Sequence, residues 1–261
     1  MQIFGLDSLS VFDTESSGLD VETDRPIELA WTKVEKGEIV VQKSYLIKQD
    51  GLDNNLFKIT KGAEESHGIT VSLLIEKGVP AAEVYKEFVE DIKEGPIAAY
   101  NLSFDFQLLR NDIQRVLKIN PFTPLEVPRL DIMEFAYILI SPLEVPNYKQ
   151  HTIAEYFNIK YEGLGEHRAS SDVDVMLKII DNLSVLYKAQ YKDMTIGEFL
   201  SEHRQPARVP FGKHKGLNWS HRAVQSYCEY MVEAVMKKRT YLRNCCLYAI
   251  GREVEPLPYF D

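Results

Sequence analysis

The sequence lacks the features of a membrane or secreted protein. No segment approaches the roughly 18 consecutive apolar residues that predict a membrane span. The first residues, MQIFGLD, contain neither the basic region nor the apolar stretch of a signal peptide. Three cysteines, Cys228, Cys245 and Cys246, form an odd, clustered set that fits neither a disulfide framework nor a zinc site. We therefore expect a cytoplasmic protein without a membrane partner.

Positive charge is also scarce, and it is unevenly distributed. The net charge of the chain is −9. Residues 1–200 carry −13, whereas residues 201–243 carry +6. A basic segment suits contact with a phosphate backbone, because that contact is largely electrostatic. An ordinary solvated basic face is the alternative interpretation.

Strand-like and helix-like segments alternate along most of the chain. Short apolar or alternating runs predict strands at Leu9–Asp13, Ile27–Val34, Glu38–Ile47, Ile97–Tyr100 and Arg129–Ile132. Apolar residues at helical spacing predict helices at Pro80–Ile92, Ser103–Leu117, Met133–Leu139, Thr152–Phe157 and Ala169–Tyr187. The pair Lys36-Gly37 is expected to form a hairpin turn. Three strands followed by alternating helices and strands predict an α/β fold, a mixed sheet flanked by helices on both sides.

A change in composition near residue 200 predicts a boundary. The segment RQPARVPFGKHKG, residues 204–216, is rich in proline, glycine and basic residues, which is typical of a loop. We expect one α/β domain over residues 1–192 and a small, mainly helical, basic extension over residues 193–261. Within that extension, Val224–Leu242 has a helical pattern.

Asp13 and Glu15 stand one residue apart at the end of the first predicted strand. Side chains alternate along a strand, so both carboxylates lie on one face and can share a cation. The pattern occurs again at Asp20 and Glu22, which we expect in a solvated loop. The first copy is the better candidate because an apolar run precedes it and an SSG turn follows it.

Asn101 and Asp105 follow the fourth predicted strand. Ser103 is the expected N-cap of the next helix, which places Asp105 in its first turn. The helix dipole alone favours an acid there, so this fragment by itself indicates only a helix start. Together with the other acidic fragments, Asp105 becomes a candidate metal ligand.

His167 and Asp172 give the sharpest local signal. Two glycines precede the histidine, which predicts a mobile loop, and Asp172 falls in the first turn of the next helix. Histidine titrates near neutral pH and therefore suits a general base for water. A surface histidine that caps a helix is the alternative.

Considered together, these fragments predict a site that hydrolyses phosphodiesters. Several carboxylates can hold two divalent cations about 4 Å apart, which orient a water and stabilise the leaving oxygen. His167 would accept the proton of that water. Hard oxygen ligands without cysteine predict Mg²⁺ or Mn²⁺.

Five ordered fragments resemble the DEDD-type 3′–5′ exonucleases whose third motif contains a histidine. FDTESSGL is similar to the first motif of that family, NLSFDFQLL to the second and HRASSD to the third. ESHGIT is similar to the segment after the third strand, and HTIAEYF to the helix before the third motif. The resemblance covers residues 8–188, and the family includes ribonuclease T and exodeoxyribonuclease X. It implies a ribonuclease H-like fold.

The resemblance also implies a role for individual residues. The expected metal ligands and general base are Asp13, Glu15, Asp105, Asp172 and His167. The expected nucleotide-binding residues are Ser16, Leu19, His67, Asn101 and Phe104. The turn that starts at Ser16 would receive the 3′-terminal nucleotide, with Leu19 wedged against its base. Tyr100 stands where many members have histidine, outside the metal shell.

The extension has a resemblance of its own. PFGKHKG, residues 210–216, is similar to a short module at the C-terminus of exodeoxyribonuclease X-like proteins, although the stretch that follows differs. Basic and aromatic residues together suit a surface that binds a strand by phosphate contact and stacking. The candidates are Lys213, Lys215, Trp219 and Arg222. A packed aromatic turn with exposed lysines is one alternative, and a docking surface for a protein partner is another.

The predicted function is therefore a metal-dependent 3′–5′ exodeoxyribonuclease that releases nucleoside 5′-monophosphates and serves DNA repair. Its partner is DNA, either single-stranded or at the 3′ ends of a duplex. An exonuclease of the same fold that trims RNA is the nearest alternative, since the motifs read phosphate and not the 2′-hydroxyl. A non-catalytic nucleic-acid-binding or scaffold protein is the alternative of another class.

Overall fold

A mixed β-sheet forms the centre of the computed structural model, which describes residues 1–52, 56–119, 129–160, 168–201, 205–235 and 240–254. Within these residues the sheet has six strands in the order β4-β3-β2-β1-β5-β6. The strands are β1 Ser8–Ser16, β2 Pro26–Glu35, β3 Glu38–Lys48, β4 Val79–Pro80, β5 Ile97–Ala99 and β6 Arg129–Asp131. The five predicted strands are confirmed, and the two-residue β4 was too short to show a pattern.

The first three strands form an antiparallel meander. Lys36 and Gly37 join β2 to β3 with backbone φ values of 51° and 84°, the left-handed pair that a two-residue hairpin turn requires. The predicted hairpin turn is confirmed. The meander places β2 directly beside β1 for its whole length, which matters for the site below.

The other half of the sheet is mainly parallel. β1 pairs in parallel with β5, and β5 pairs in parallel with β6. The carboxyl ends of these three strands therefore meet at one edge of the sheet, and the loops that follow them converge there. In α/β sheets this edge is where ligands usually bind.

Helices cover both faces of the sheet in the described residues. They are α1 Lys61–His67, α2 Val71–Lys77, α3 Ala81–Ile92, α4 Leu102–Leu117, α5 Ile132–Leu139, α6 Gln150–Tyr156, α7 Ala169–Gln190, α8 Ile196–Ser201, α9 Arg222–Tyr230 and α10 Thr240–Ala249. The mixed sheet with flanking helices confirms the predicted fold class. The sequence pattern missed α1 and α2, seven residues each, because a helix of two turns gives only a weak periodic signal.

Two hydrophobic clusters pack against opposite faces of the sheet. Leu9 and Val11 of β1 belong to the cluster under α5 and α7. Phe12, one position on, belongs to the cluster under α3 and α4. This alternation follows from the two-residue period of a strand, and it sends Asp13 and Glu15 to the α7 side.

The C-terminal extension packs against the first cluster. Trp219, Val224 and Cys228 are buried together with apolar residues of α5 and α7. The helical pattern predicted over Val224–Leu242 agrees with the described residues of that range: α9 ends at Tyr230, a π-helical turn follows over Met231–Val235, and α10 begins at Thr240. Residues 236–239 lie outside the described part. All three cysteines are buried, and none of them forms a disulfide. Among the described helices, none combines the length and the apolar character needed to cross a bilayer.

Candidate active site

Three carboxylates meet at the carboxyl edge of the sheet. Asp13 and Glu15 project from the same face of β1, and Asp172 lies in the first turn of α7, which packs over that face. One ligand oxygen from each lies within 4.8 Å of the others. All three side chains are half-buried. We call this group the acidic cluster, and its oxygen-only donor set suits a hard divalent cation.

Irregular backbone at the end of β1 helps to present these residues. The pairing with β2 shifts between Glu15 and Ser16, a bulge of the kind found beside active sites. The strand then enters the turn in which the Ser16 hydroxyl donates to the carbonyl of Gly18, at 2.6 Å. The bulge therefore separates the residues that face α7 from the turn that follows.

Asp105 sits next to the acidic cluster but is held by a different residue. The hydroxyl of Thr14, between the two clustered acids on β1, donates to Asp105 Oδ1. Asp105 is buried in the first turn of α4, as predicted. The predicted N-cap Ser103 is wrong, because Asn101 is the cap, with a left-handed backbone and without a side-chain hydrogen bond.

Asp131 fixes the start of α4, where the N-cap residue Asn101 makes no side-chain cap bond. Its Oδ1 accepts from the backbone N–H of Asn101 at 3.0 Å and from that of Met133 at 3.0 Å. Asp131 therefore caps α5 and holds the left-handed residue that starts α4. A left-handed conformation is uncommon outside glycine, although asparagine tolerates it better than most residues. This contact fixes the direction from which Asp105 approaches the cluster.

The electrostatics of the site show a surplus of negative charge. Burial, followed by the charges of Asp105 and Asp172, holds the pKa of Asp13 well above its usual range. Burial and the charge of Asp172 raise the pKa of Glu15 to about 8. Burial raises the pKa of Asp105 to about 7, although hydrogen bonds from Thr14 oppose the rise. Crowded acids that resist ionisation are what a cation would relieve.

Three residues that the sequence analysis did not single out, Glu28, Arg168 and Gln150, hold the start of α7 in place. Arg168 donates from Nη2 to Glu28 Oε1 at 2.7 Å and from Nε to Oε2 at 3.1 Å. Gln150, at the start of α6, donates to Asp172 Oδ1 at 3.1 Å. A carboxylate inside the apolar strand PIELAW was the available signal for Glu28, since charged residues are seldom buried without a partner.

His167, the predicted general base, lies outside the described residues, as do the two glycines before it. Its role stays a prediction. The described chain resumes at Arg168, directly after it in sequence.

The expected nucleotide-binding residues occupy two kinds of environment. Leu19 is 88% exposed, which is what a wedge for a terminal base requires. Asn101 is exposed and Phe104 half-buried at the start of α4. His67 is buried: its Nδ1 accepts from the N–H of Ile69 at 3.0 Å, so Nε2 carries the proton and faces the carbonyl of Ser16 at 3.2 Å. His67 therefore supports the Ser16 turn, and burial lowers its pKa.

The loop that carries Leu19 is held by its own acid. Asp24 accepts from the hydroxyl of Ser17 and from the backbone N–H of Asp20, both at 2.9 Å. A side chain at Gly18 would collide with the Asp24 carboxylate and displace it from these hydrogen bonds. Asp20 and Glu22 are exposed, which confirms the expectation that the second acidic pair is solvated.

The four candidates in the extension do not form one open surface. The Lys213 ammonium lies 5.4 Å from the centre of the Tyr227 ring, and Arg222 is exposed at the start of α9. Lys215 donates to the carbonyl of Val145. Trp219 is buried and its indole N–H donates to the carbonyl of Pro206 at 2.7 Å. The expectation that Trp219 stacks on a strand is therefore wrong, because its ring completes the core.

Comparison with known sequences gives a match over most of the chain. The sequence profile of the ribonuclease T family, described as an exonuclease, matches residues 10–180. A PolC-type DNA polymerase III from Halalkalibacterium halodurans is 31% identical over a 205-residue alignment that covers 75% of this chain and 13% of that protein. The corresponding protein of Thermotoga maritima is 30% identical over 67% of this chain and 12% of its own length. The chain thus matches about an eighth of the length of these relatives.

Comparison with solved structures gives the same fold. E. coli exonuclease I in complex with a dT13 oligonucleotide superposes with a TM-score of 0.61 at 19% identity, over 77% of this chain and 44% of that chain. A complex of exonuclease I with the SSB C-terminus gives a TM-score of 0.60 at 18% identity, over 76% of this chain and 44% of that chain. At this level of identity the likeness establishes the fold, and the predicted ribonuclease H-like architecture is confirmed.

Proposed function

The chain belongs to the exonuclease family of the ribonuclease T type, the DEDD 3′–5′ exonucleases that its motifs resemble, and on this premise we propose that it is a DNA exonuclease. It removes nucleoside 5′-monophosphates one at a time from a 3′ end. It uses two divalent cations, Mg²⁺ or Mn²⁺.

One observation carries the proposal. Asp13, Glu15 and Asp172 bring three carboxylates together at one point. The strongest charges that act on Asp13 are those of other acids, and all of them raise its pKa. Crowded, half-buried acids are costly to ionise without a compensating positive charge. A divalent cation supplies that charge most simply, and the all-oxygen donor set fits one.

Each residue then has a task in the reaction. Cations held there would polarise the phosphate and generate the nucleophile from water. Asp13, Glu15 and Asp172 hold the charge in place, and Asp105 approaches from α4 to complete the set. His167 is proposed to accept the proton from the attacking water, because its ordinary pKa lies near neutrality. In-line displacement would place the attacking water and the leaving oxygen on opposite sides of the phosphorus.

DNA is the proposed substrate because of the relatives and structural neighbours of the chain. Its relatives of about 30% identity are DNA polymerases, and exonuclease I is seen with DNA oligonucleotides. The exposed Leu19 beside the Ser16 turn suits a frayed or single-stranded 3′ end, whose last base it can support from one face.

The organisation of the chain is part of the proposal. We assign catalysis to residues 1–192 and an accessory role to residues 193–261, in which Lys213 and Arg222 contact the strand away from the scissile bond. Their side chains are exposed on the packed extension. We also propose a function in DNA repair within the cytoplasm, because PFGKHKG is similar to the C-terminal module of exodeoxyribonuclease X-like proteins.

The first test follows cleavage of 5′-labelled single-stranded DNA and of the matched RNA, with Mg²⁺, with Mn²⁺ and with chelator. A ladder that shortens from the 3′ end, on DNA and only with metal, is the expected result. Asp13→Ala should abolish it, and the exposed Glu22→Gln is the matched control. A ladder mainly on RNA would move the enzyme to the RNA-trimming alternative, and metal-independent or absent cleavage would refute the proposal.

A second test addresses the general base. His167→Ala should lower kcat by roughly 10²–10⁴-fold, the usual contribution of a general base, while binding of the oligonucleotide persists. Single-turnover rates together with fluorescence anisotropy on the same labelled strand separate the two effects. If kcat is unchanged, the base lies elsewhere in the site.

A further inference from the structure

Glu28 is a charged residue in a place that ordinarily excludes charge. It lies near the start of β2 and is only 2% exposed. It is the antiparallel pairing partner of Glu15, so the two side chains emerge from the same face of neighbouring strands. A second acid beside a predicted metal ligand adds repulsion, and it is among the charges that raise the pKa of Glu15. Its presence there calls for a specific task.

The hydrogen bonds of Glu28 show what that task is. Both of its oxygens are used by the two residues at the start of α7. Arg168 forms the two-pronged contact described above, and the backbone N–H of Ala169 donates to Oε2 at 3.0 Å. The carboxylate thus satisfies one of the free N–H groups at the N-terminus of this helix, where a negative charge is also favoured by the dipole. Arg168 itself, the N-cap residue, makes no side-chain cap bond.

The position of these contacts links them to the acidic cluster. Asp172 is one helical turn beyond Arg168, and its backbone N–H donates to the Arg168 carbonyl at 3.0 Å. Glu28 therefore docks the first turn of α7 against β2, next to the strand that carries Asp13 and Glu15. Gln150 holds Asp172 through a separate hydrogen bond. A fork between a carboxylate and a guanidinium fixes both distance and orientation, which a single hydrogen bond does not.

We propose that Glu28 and Arg168 form a positioning pair, which sets Asp172 in register with Asp13 and Glu15 and so completes the cation site. In this proposal neither Glu28 nor Arg168 contacts the cation or the substrate. This proposal rests on the proposed function only in part, because the register of the three carboxylates determines metal binding whether or not a nucleic acid is cleaved.

The sharpest test uses two variants with opposite charge effects. Glu28→Gln removes a negative charge near the site and Arg168→Gln removes a positive one. If the pair acted only through its charges, Arg168→Gln would strengthen binding of Mn²⁺, because a repelling charge has gone. Positioning predicts that both variants weaken it, by at least about tenfold, in a calorimetric titration of the full chain with Mn²⁺ alone. Glu35→Gln, at the far end of the same strand, is the matched control and should bind Mn²⁺ like the wild type.

Catalysis gives a second readout that a loss of stability would not reproduce. Measured well below the melting temperature of each variant, kcat should fall about 10–100-fold with KM for the oligonucleotide unchanged. The double variant, Glu28→Gln with Arg168→Gln, should show no greater loss of kcat than the more impaired single variant, because the two residues act as one unit. Arg168→Lys keeps the charge without the fork and should lie between wild type and Arg168→Gln; it also serves if Arg168→Gln does not fold.

Two results separate this proposal from the one before it. If Arg168→Gln binds Mn²⁺ as tightly as the wild type or more tightly, the positioning role is refuted, even when the enzyme is active. Arg168→Lys gives the same test if Arg168→Gln does not fold. A wild type that cleaves neither DNA nor RNA would instead refute the proposed function, while the Mn²⁺ titration would still decide the role of Glu28 and Arg168.

Discussion

Two acidic regions among the described residues are built in opposite ways. One is the acidic cluster of Asp13, Glu15 and Asp172, at the carboxyl edge of the sheet. The other surrounds Asp112 of α4, which is 1% exposed. Arg115 donates to its Oδ1 from Nε at 2.9 Å, and Arg25 approaches the same oxygen at 3.2 Å. The buried charge of the second region is therefore matched by arginine.

The remaining oxygen of Asp112 is equally well used. Gln49 donates to Oδ2 at 2.9 Å, and the hydroxyl of Tyr85 donates to it as well. The network joins the end of β3, the middle of α3 and the loop after the Leu19 turn to α4. A buried acid with a complete set of donors holds elements of the fold together. Acids that mainly face other acids favour binding of a cation instead. The charge of the neighbouring groups therefore distinguishes the two regions better than the degree of burial does.

Stability should change most when one acid in each region is exchanged for its amide. Asp112→Asn leaves two arginines around a neutral group and should lower the free energy of unfolding by about 3–5 kcal/mol. Asp13→Asn removes repulsion and should leave the metal-free protein as stable as the wild type or more so. Thermal unfolding in chelator checks both. Equal losses of stability in the two variants would erase the distinction between the regions.

Activity measurements distinguish the same two variants in a second way. Asp112→Asn, assayed below its melting temperature, should keep kcat within a few-fold of the wild type, whereas Asp13→Asn should fall below detection. The melting temperature of Asp13→Asn should also no longer rise when Mn²⁺ is added, since the shift depends on binding to the native state.

A smaller effect is expected from pH. The pKa of Glu15 is raised to about 8 and that of Asp105 to about 7, both above their values in an unfolded chain. The folded protein then holds protons that the unfolded chain releases, so stability of the metal-free protein falls as pH rises from about 4 to about 8. Melting temperatures in chelator should decline by several degrees across this range.

The metal dependence of the same measurement provides the contrast. Mn²⁺ replaces the protons, so its stabilising effect should grow with pH over the range in which the metal-free protein weakens. Glu15→Gln should flatten the decline in chelator, whereas Glu22→Gln, in the exposed pair, should leave it unchanged. A metal-free protein that is most stable near pH 8 would contradict the description of an acidic cluster with surplus negative charge.

The smallest expected effect concerns the basic extension, which has the opposite charge to the site. Lys213→Gln and Arg222→Gln should weaken binding of single-stranded DNA. Each substitution that removes a basic side chain from one phosphate should reduce the steepness of log affinity against log salt concentration by about 0.7. Binding isotherms at several salt concentrations measure this slope. An unchanged slope would make these side chains ordinary solvated charges.

The local patterns of the sequence predicted much of the fold. Strand alternation placed Asp13 and Glu15 on one face, and helical spacing placed Asp172 in a first turn, because both periods are set by the backbone within a few residues. The Lys36-Gly37 turn and the five longer strands follow from equally local preferences. The resemblance of the motifs to a known family indicated which acids along the chain are candidate metal ligands.

Other features depended on which elements meet in space. Glu28 and Arg168 are 140 residues apart, and nothing local to either indicates the other. Asn101 became a cap because Asp131 of a neighbouring strand holds its N–H, while Ser103 had the better local pattern. The basic and aromatic residues around Trp219 suggested a stacking surface, but the Trp219 ring is buried in the hydrophobic cluster that includes residues of α5 and α7.

Local patterns in the sequence predicted most of the elements, the motifs and the acids of the site. Which acids are matched by arginine and which are crowded by other acids depends on tertiary contacts. Electrostatic interaction and burial depend on distance through space, so residues remote in sequence determine the charge around each group. Asp112 and Asp13 have the same side chain, and their neighbours alone give one a structural and the other a proposed metal-binding role.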